Sequence, residues 1–328
     1  MSAPFSEEEK YVADTIVDVS SIGTLAVDYF GILEKFPQLD QKTMALSYEV
    51  HPGGVAGNVI TQIARLGVPT GWIGKIGDDA TGNILLEEFR KDGIDASHAE
   101  QVAGKNSMFT WILIDKQGNR TITMFPNVLN EFTGNDVRDK HRDVIASSKV
   151  LMAEACVLPL EPVIAAMEIA RESGVTVVFD LDVTPSDIEL MNMGTTEDLE
   201  KVLSLTDVFI PCKAAAVELL GTDEIEDNVE KLLRYDMKAV AVTLGERGCV
   251  VTEGKDRSRH IDGFKVDVVD STGAGDAFHG GFVYGLLQNW TIDRTARFAN
   301  ACGALCCRSV GARSSATIDE VEQFIEQD

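Results

Sequence analysis

The sequence predicts an α/β protein with a predominantly parallel central sheet flanked by helices and a small β-sheet lid. Three observations predict it. Runs of β-branched residues of strand length alternate with stretches of helical spacing, the pattern of consecutive βαβ units. Two segments, approximately 24–50 and 105–126, break that rhythm and lack long helical patterns. The chain has 328 residues and is 45% hydrophobic, enough to bury a large core as one domain or two. No low-complexity linker or fixed-period repeat divides it, so residues 1–328 are read as a single domain with those two segments as its lid.

In chain order, "TIVDVSSIG" (15–23) is a β-branched run ending in glycine, a buried strand. "GGVAGNVITQIARLG" places Val55, Val59, Ile63 and Leu66 at helical spacing and stops at Gly67. The cycle repeats as strand "TGWIGKIG" and helix "TGNILLEEFRKDG", then strand "KVLMAE", helix "EPVIAAMEIARESG" and strand "VTVVFDLD". Strand "DVFIP", helices "AAAVELLG" and "NVEKLLRYD", and strand "KAVAVTLG" follow. "NSMFTWILIDKQGNRTITMF" reads as a hairpin around Lys116-Gln117-Gly118-Asn119. Antiparallel pieces in such a protein form an accessory sheet. Phe109 and Trp111 on the hairpin are assigned to lid or interface, and Arg120 is weighed as a contact to an anionic substrate group.

Composition excludes several function classes. The net charge of −24 repels nucleic acid and anionic membranes, so neither is expected as a partner. Six cysteines without CxxC spacing, and five scattered histidines, give no zinc pattern and fit a reducing compartment. The acidic start "MSAPFSEEEK" is unlike a signal peptide, and no apolar run approaches ~18 residues. A cytoplasmic location follows.

Chemistry concentrates in "DVVDSTGAGDAFHGGFVYGLL" (267–287). Glycines between strand and helix let the amides around Thr272 to Asp276 converge at a helix N-terminus, where the dipole favours an anion. A carboxylate in the first turn of that helix, Asp276, stands where it takes a proton from a nucleophile approaching the anion. Taken alone, the stretch serves equally well an aspartate that caps a helix and glycines that permit close packing.

The wider sequence resembles the ribokinase-like (pfkB) carbohydrate kinases. "DSTGAGD" (270–276) matches the second signature of that family, and "GGVAGNVITQIARLGVPTGWIGKIGDDATG" (53–82) is similar to the first. "VTLGERGCVV" (242–251) and "SVGARSS" (309–315) extend the likeness along nearly the whole chain. The resemblance implies a ribokinase-like fold and transfer of the γ-phosphate of ATP, with Mg²⁺, to a hydroxymethyl group of a sugar. It implies Asp276 as general base and the amides of Gly273, Ala274 and Gly275 as anion hole. It implies Asp28, Gly53, Gly54 and Asn58 for the sugar, and Thr243, Gly245, Gly248 and Asn300 for the nucleotide. Asp270, Thr272, Gly311 and Ser315 resemble a loop that holds a monovalent cation, K⁺, in some members. No GxxxxGK[ST] and no protein-kinase set is present.

One departure stands out. Relatives carry Asn-x-x-Glu after the strand that here reads "DVFIP", and this chain places Cys212 and Ala215 there, with Glu218 one turn further as a substitute or a surface acid. The stretches "DLDVTPSDI" and "GNRTITMF" are similar to sulfofructose kinase and ketohexokinase respectively, which points to ketose-type substrates. A homodimer through the lid is expected. His279, three residues after the base, either tunes it or simply packs. The alternatives are a nucleoside kinase of the same fold, with an aromatic slot for a base, and a non-catalytic sugar-binding or regulatory protein.

Overall fold

A computed structural model describes residues 17–254 and 258–327. Residues 15 and 16 of the first expected strand lie outside them. Strands β1 (Val19–Ile22), β2 (Ala26–Leu33), β3 (Ala45–Gly53), β4 (Thr70–Gly77), β5 (Ala99–Val102), β6 (Phe109–Asp115) and β7 (Arg120–Phe125) fill the first half. The second half adds β8 (Val150–Ala155), β9 (Thr176–Leu181), β10 (Val208–Pro211), β11 (Ala239–Thr243), β12 (Cys249–Glu253) and β13 (Arg259–Ile261). Nine of these form one sheet in the order β13-β12-β11-β10-β9-β8-β1-β4-β5. It is parallel from β5 to β11, and at one edge β12 pairs antiparallel with both β11 and β13.

The period of two in the strands builds a core on both faces. Leu151 and Ala153 of β8 and Val240 and Val242 of β11 pack against the helices Ala80–Lys91, Leu160–Glu172 and Thr196–Leu205. Their alternates, Val150, Met152, Ala239 and Ala241, meet the helices Val55–Arg65, Ala274–Leu287 and Ile292–Cys306. Those last three helices lie close because small residues meet at their contacts. A Cβ at Gly280 would touch Gln62, and one at Gly281 would touch Cys302.

The other four strands form a separate sheet in the order β3-β2-β6-β7. Both flanking pairs are antiparallel, but β2 and β6 pair in parallel, with Asp28 opposite Thr110. The hairpin turn falls where the sequence places it, between β6 and β7. The pairing register sets Tyr48 and Trp111 on one face, 75% and 54% exposed.

One helix expectation is corrected. Residues 228–236 hold only a short 3₁₀ turn, Val229–Leu232. Val229 and Leu232 are both buried, a spacing of three that a 3₁₀ turn satisfies, and Tyr235 and Asp236 then turn left-handed with φ of 63° and 59°.

Candidate active site

Functional side chains gather at the carboxyl ends of the parallel strands, where such sheets bind ligands. Gly273 is the N-cap of the helix Ala274–Leu287, with φ 79° and no side-chain cap. That left-handed conformation suits glycine, and a Cβ there would run into the backbone of Ala312. Asp276 therefore lies in the first turn but does not cap it. Its Oδ2 accepts a 2.7 Å hydrogen bond from Nδ2 of Asn58 at the start of the helix Val55–Arg65. Burial pushes the Asp276 carboxyl up to about 6; Asn58 and His279 pull it down, while Asp180 and Asp28 push the same way as burial. A carboxyl so placed titrates near the working pH of a general base. Of the amides expected to form the anion hole, Ala274 N–H turns back to Ser271 O at 3.3 Å. Gly275 is exposed, and a Cβ on it would face open space.

The residues expected for the sugar stand beside the base. Gly53 packs so tightly on the Asp28 carboxylate that a Cβ would overlap it. Gly54 is the N-cap of the Asn58 helix, with φ 86°. Burial raises the Asp28 carboxyl, opposed by its Thr110 hydrogen bond and by the charges of Arg313 and His51. Asp28 and Gly53 of the small sheet and Asn58 and Asp276 of two helix N-terminal turns thus form one polar group.

A cleft of about 870 Å³ adjoins it, and all four residues expected for the nucleotide line it: Thr243, Gly245, Gly248 and Asn300. Ala274 and Gly275 line the same cleft, so it reaches the residue before Asp276. Asn300 is buried, and its Nδ2 donates to the carbonyls of Ile261 and Asp262 at 3.1 Å each, tying down the turn after β13.

Of the residues expected around a cation, three are joined. Asp270 accepts from Thr272 N and Oγ1 at 2.9 and 2.7 Å and from Gly311 N at 3.0 Å. Burial opposes that charge, yet these donors hold its carboxyl below the usual range. Ser315 makes no hydrogen bond to them; its carbonyl accepts from Arg65.

An acidic cluster beneath the base escapes sequence reasoning. Glu154 of β8 pairs in register with Asp180 of β9, and both are fully buried. Glu154 Oε1 accepts from the Thr24 amide after β1. Burial lifts Glu154 to about 8; Thr24 opposes, and Asp180 and Asp182 add to the rise. Asp180 Oδ2 lies 3.0 Å from His279 Nδ1, near enough for an ion pair but out of line for a hydrogen bond. Burial works against charge on His279, but Asp180, Asp276 and Asp182 outweigh it and raise its pKa. In sequence, Glu154 and Asp180 look like ordinary acids at strand ends, and only their positions on adjacent strands signal them.

Cys212 Sγ caps the helix Lys213–Leu220 by accepting from Ala215 N at 3.4 Å, and Ala215 is buried. Glu218 is exposed and accepts from Ser186 N and Oγ at 2.8 and 2.5 Å. Phe109 stacks on Phe125 at 4.5 Å, Trp111 is open to solvent, and Arg120 is exposed at the start of β7.

Comparison with known proteins now decides the family: the model for pfkB family carbohydrate kinases matches residues 17–319. The chain belongs to that family. It is 32% identical over 278 residues to fructokinase-1 of Oryza sativa subsp. japonica, covering 80% of this chain and 84% of that one. It is 28% identical over 312 residues to ribokinase of Haemophilus influenzae, covering 93% and 97%. The ribokinase structure from Thermotoga maritima superposes with a TM-score of 0.81 at 25% identity, covering 94% and 99%. The fold is ribokinase-like and the protein is a carbohydrate kinase.

Proposed function

We propose that this kinase transfers the γ-phosphate of ATP to a hydroxymethyl group of a ketose, with Asp276 as general base. The observation that carries the reading is the position of Asp276. It bonds Asn58 in the polar group around Asp28 and follows directly on Ala274 and Gly275, which line the 870 Å³ cleft. Sugar bound at Asp28, Gly53, Gly54 and Asn58 then meets nucleotide bound along Thr243, Gly245, Gly248 and Asn300. The sugar O–H bond breaks toward Asp276, its oxygen bonds the γ-phosphorus, and the β,γ-bridging oxygen leaves with ADP. Phosphoryl transfer through a loose transition state asks for positioning and charge stabilisation. The helix N-terminus at Gly273, Ala274 and Gly275 supplies the second, the Ala274 amide leaving its long 3.3 Å bond to Ser271 O to do so. The ketose assignment draws on the fructokinase relative and on the sequence likenesses to sulfofructose kinase and ketohexokinase.

Magnesium enters with the nucleotide. Cys212 and Ala215 offer no oxygen donor, so those positions do not fit a magnesium ligand set, and no step is assigned to the ion. Potassium would be held by the loop of Asp270, Thr272 and Gly311 with Ser315 beside it, where it would supply a fixed positive charge near the helix N-terminus. Residues 1–328 work as one domain, with segments 24–50 and 105–126 closing over the sugar to exclude water. The exposed Tyr48 and Trp111 face pairs two copies. Among the described residues no helix is long and apolar enough to cross a membrane, and all six cysteines are free, in keeping with the cytoplasm.

The test is ADP release with Mg-ATP across ketoses, aldoses, polyols and nucleosides, with and without EDTA and with K⁺ or Na⁺. Release driven by a ketose and abolished by EDTA supports the reading. Release driven by a nucleoside, or none with any acceptor, overturns it.

A further inference from the structure

We infer that Arg313 is a positioning residue for the base, acting through Asn58. Its Nε donates to Asn58 Oδ1 at 3.2 Å, and its Nη2 donates to the Gly53 carbonyl at 2.9 Å. Asn58 in turn donates to Asp276. A guanidinium has donors only, so the amide atom that faces it must be the oxygen. The amide nitrogen is thereby committed to Asp276, and Oδ2 of the base is occupied. Oδ1 is left as the oxygen that takes the proton from the sugar.

Burying this cation is expensive, which argues that it does more than pack. Arg313 is only 8% exposed, and its Nη1 makes no hydrogen bond among the described residues. Burial depresses the guanidinium to about 10, against the pull of Asp92, Glu88 and Asp28. The side chain is also held in place. Its guanidinium lies 5.6 Å from the Phe89 ring centre, its backbone carbonyl accepts from Arg65 at 2.8 Å, and a Cβ on Gly57 would overlap it. The paired donors Nε and Nη2 form a rigid fork that spans Asn58 and Gly53 together, which a lysine ammonium cannot reproduce.

The catalytic half of this inference rests on the kinase reading; the structural half does not. Asp276 is faced by His279 on its own helix, by Asp180 and Asp182 at the end of β9, by Asp28 on β2 and by the Cys306 thiol. Arg313 is not among these neighbours; its hydrogen-bonded route to Asp276 runs through Asn58, and its charge bears otherwise on Asp28.

Two measurements test it. In the first, Arg313→Lys and Arg313→Met are assayed against pH with Mg-ATP and D-fructose or D-ribose, whichever the wild type turns over. Both variants should lose at least about tenfold in kcat, with KM for Mg-ATP unchanged and the acid limb moved to higher pH. In the second, unfolding midpoints are measured for Arg313→Lys, Asp276→Ala and the double variant, in wild-type and Asn58→Ala backgrounds. The shifts should fail to add when Asn58 is present and should add when it is absent. An Arg313→Lys enzyme with wild-type kcat and acid limb, or shifts that add with Asn58 in place, overturns the inference. Should neither sugar drive ADP release in the wild type, the assays read only the kinase proposal, and the midpoint cycle still decides the relay.

Discussion

Asn58 Nδ2 and Asp276 Oδ2 stand 2.7 Å apart across 218 positions of sequence. That single bond joins the starts of two helices on one face of the sheet, and with them the sugar group and the nucleotide cleft. The two family signatures meet there, and the following predictions depend on it.

Activity should show an acid limb close to pH 6. Asp276 must be ionised to accept a proton, and burial lifts its carboxyl to about 6. Activity is therefore lost as pH falls through that value. His279 pulls the carboxyl down and is held beside it by Asp180. His279→Gln should move the limb to higher pH, which a kcat/KM profile measures. An unmoved limb would show that the imidazole only packs.

Glu154 gives stability a pH dependence of definite sign. Its folded pKa, about 8, lies above the ordinary 4.5. Its contribution is fully present below pH 4.5 and drains away as pH rises through 8. The loss is on the order of a few kcal/mol at pH 9. Glu154→Gln should flatten the dependence and melt higher than wild type at pH 9, read by thermal denaturation at several pH values.

Asp28→Asn should weaken sugar binding and leave nucleotide binding alone. A carboxylate that pairs with hydroxyls loses roughly 1.5–3 kcal/mol when its charge is removed, a rise in sugar KM of about 10- to 150-fold. KM for Mg-ATP should hold, because Asp28 lies outside the residues that line the cleft.

Gly273→Ala tests the turn that aims the helix. A Cβ there meets the Ala312 backbone at a φ of 79°. The variant should lose roughly 1–3 kcal/mol of unfolding free energy, together with most activity. Gly275→Ala, where a Cβ faces open space, should unfold like wild type.

Much of the fold is legible because burial on both faces leaves apolar runs such as "KVLMAE" and "KAVAVTLG" that local pattern alone identifies. The parallel pairing of β2 with β6 is not, since strand direction is decided by chain segments about eighty residues apart. Nor is the 3₁₀ turn at 229–232, where Val229 and Leu232 fit an α-helix equally well in sequence. In the site, the glycines around Asp276 are visible because a tight turn demands them. Arg313 sits within the quoted "SVGARSS" without any role suggested by its neighbours. Its contacts, to Gly53 and Asn58, lie 260 and 255 residues away.

The central claim is that Asp276 takes the proton during transfer. Its most direct test compares Asp276→Asn with wild type for sugar-dependent ADP release under saturating Mg-ATP, with sugar affinity measured on both by calorimetry. The account predicts a fall in kcat of about 10²–10⁴-fold with sugar affinity changed little, because the amide oxygen introduced by the substitution can still accept from Asn58. An Asp276→Asn enzyme that keeps wild-type kcat would contradict it.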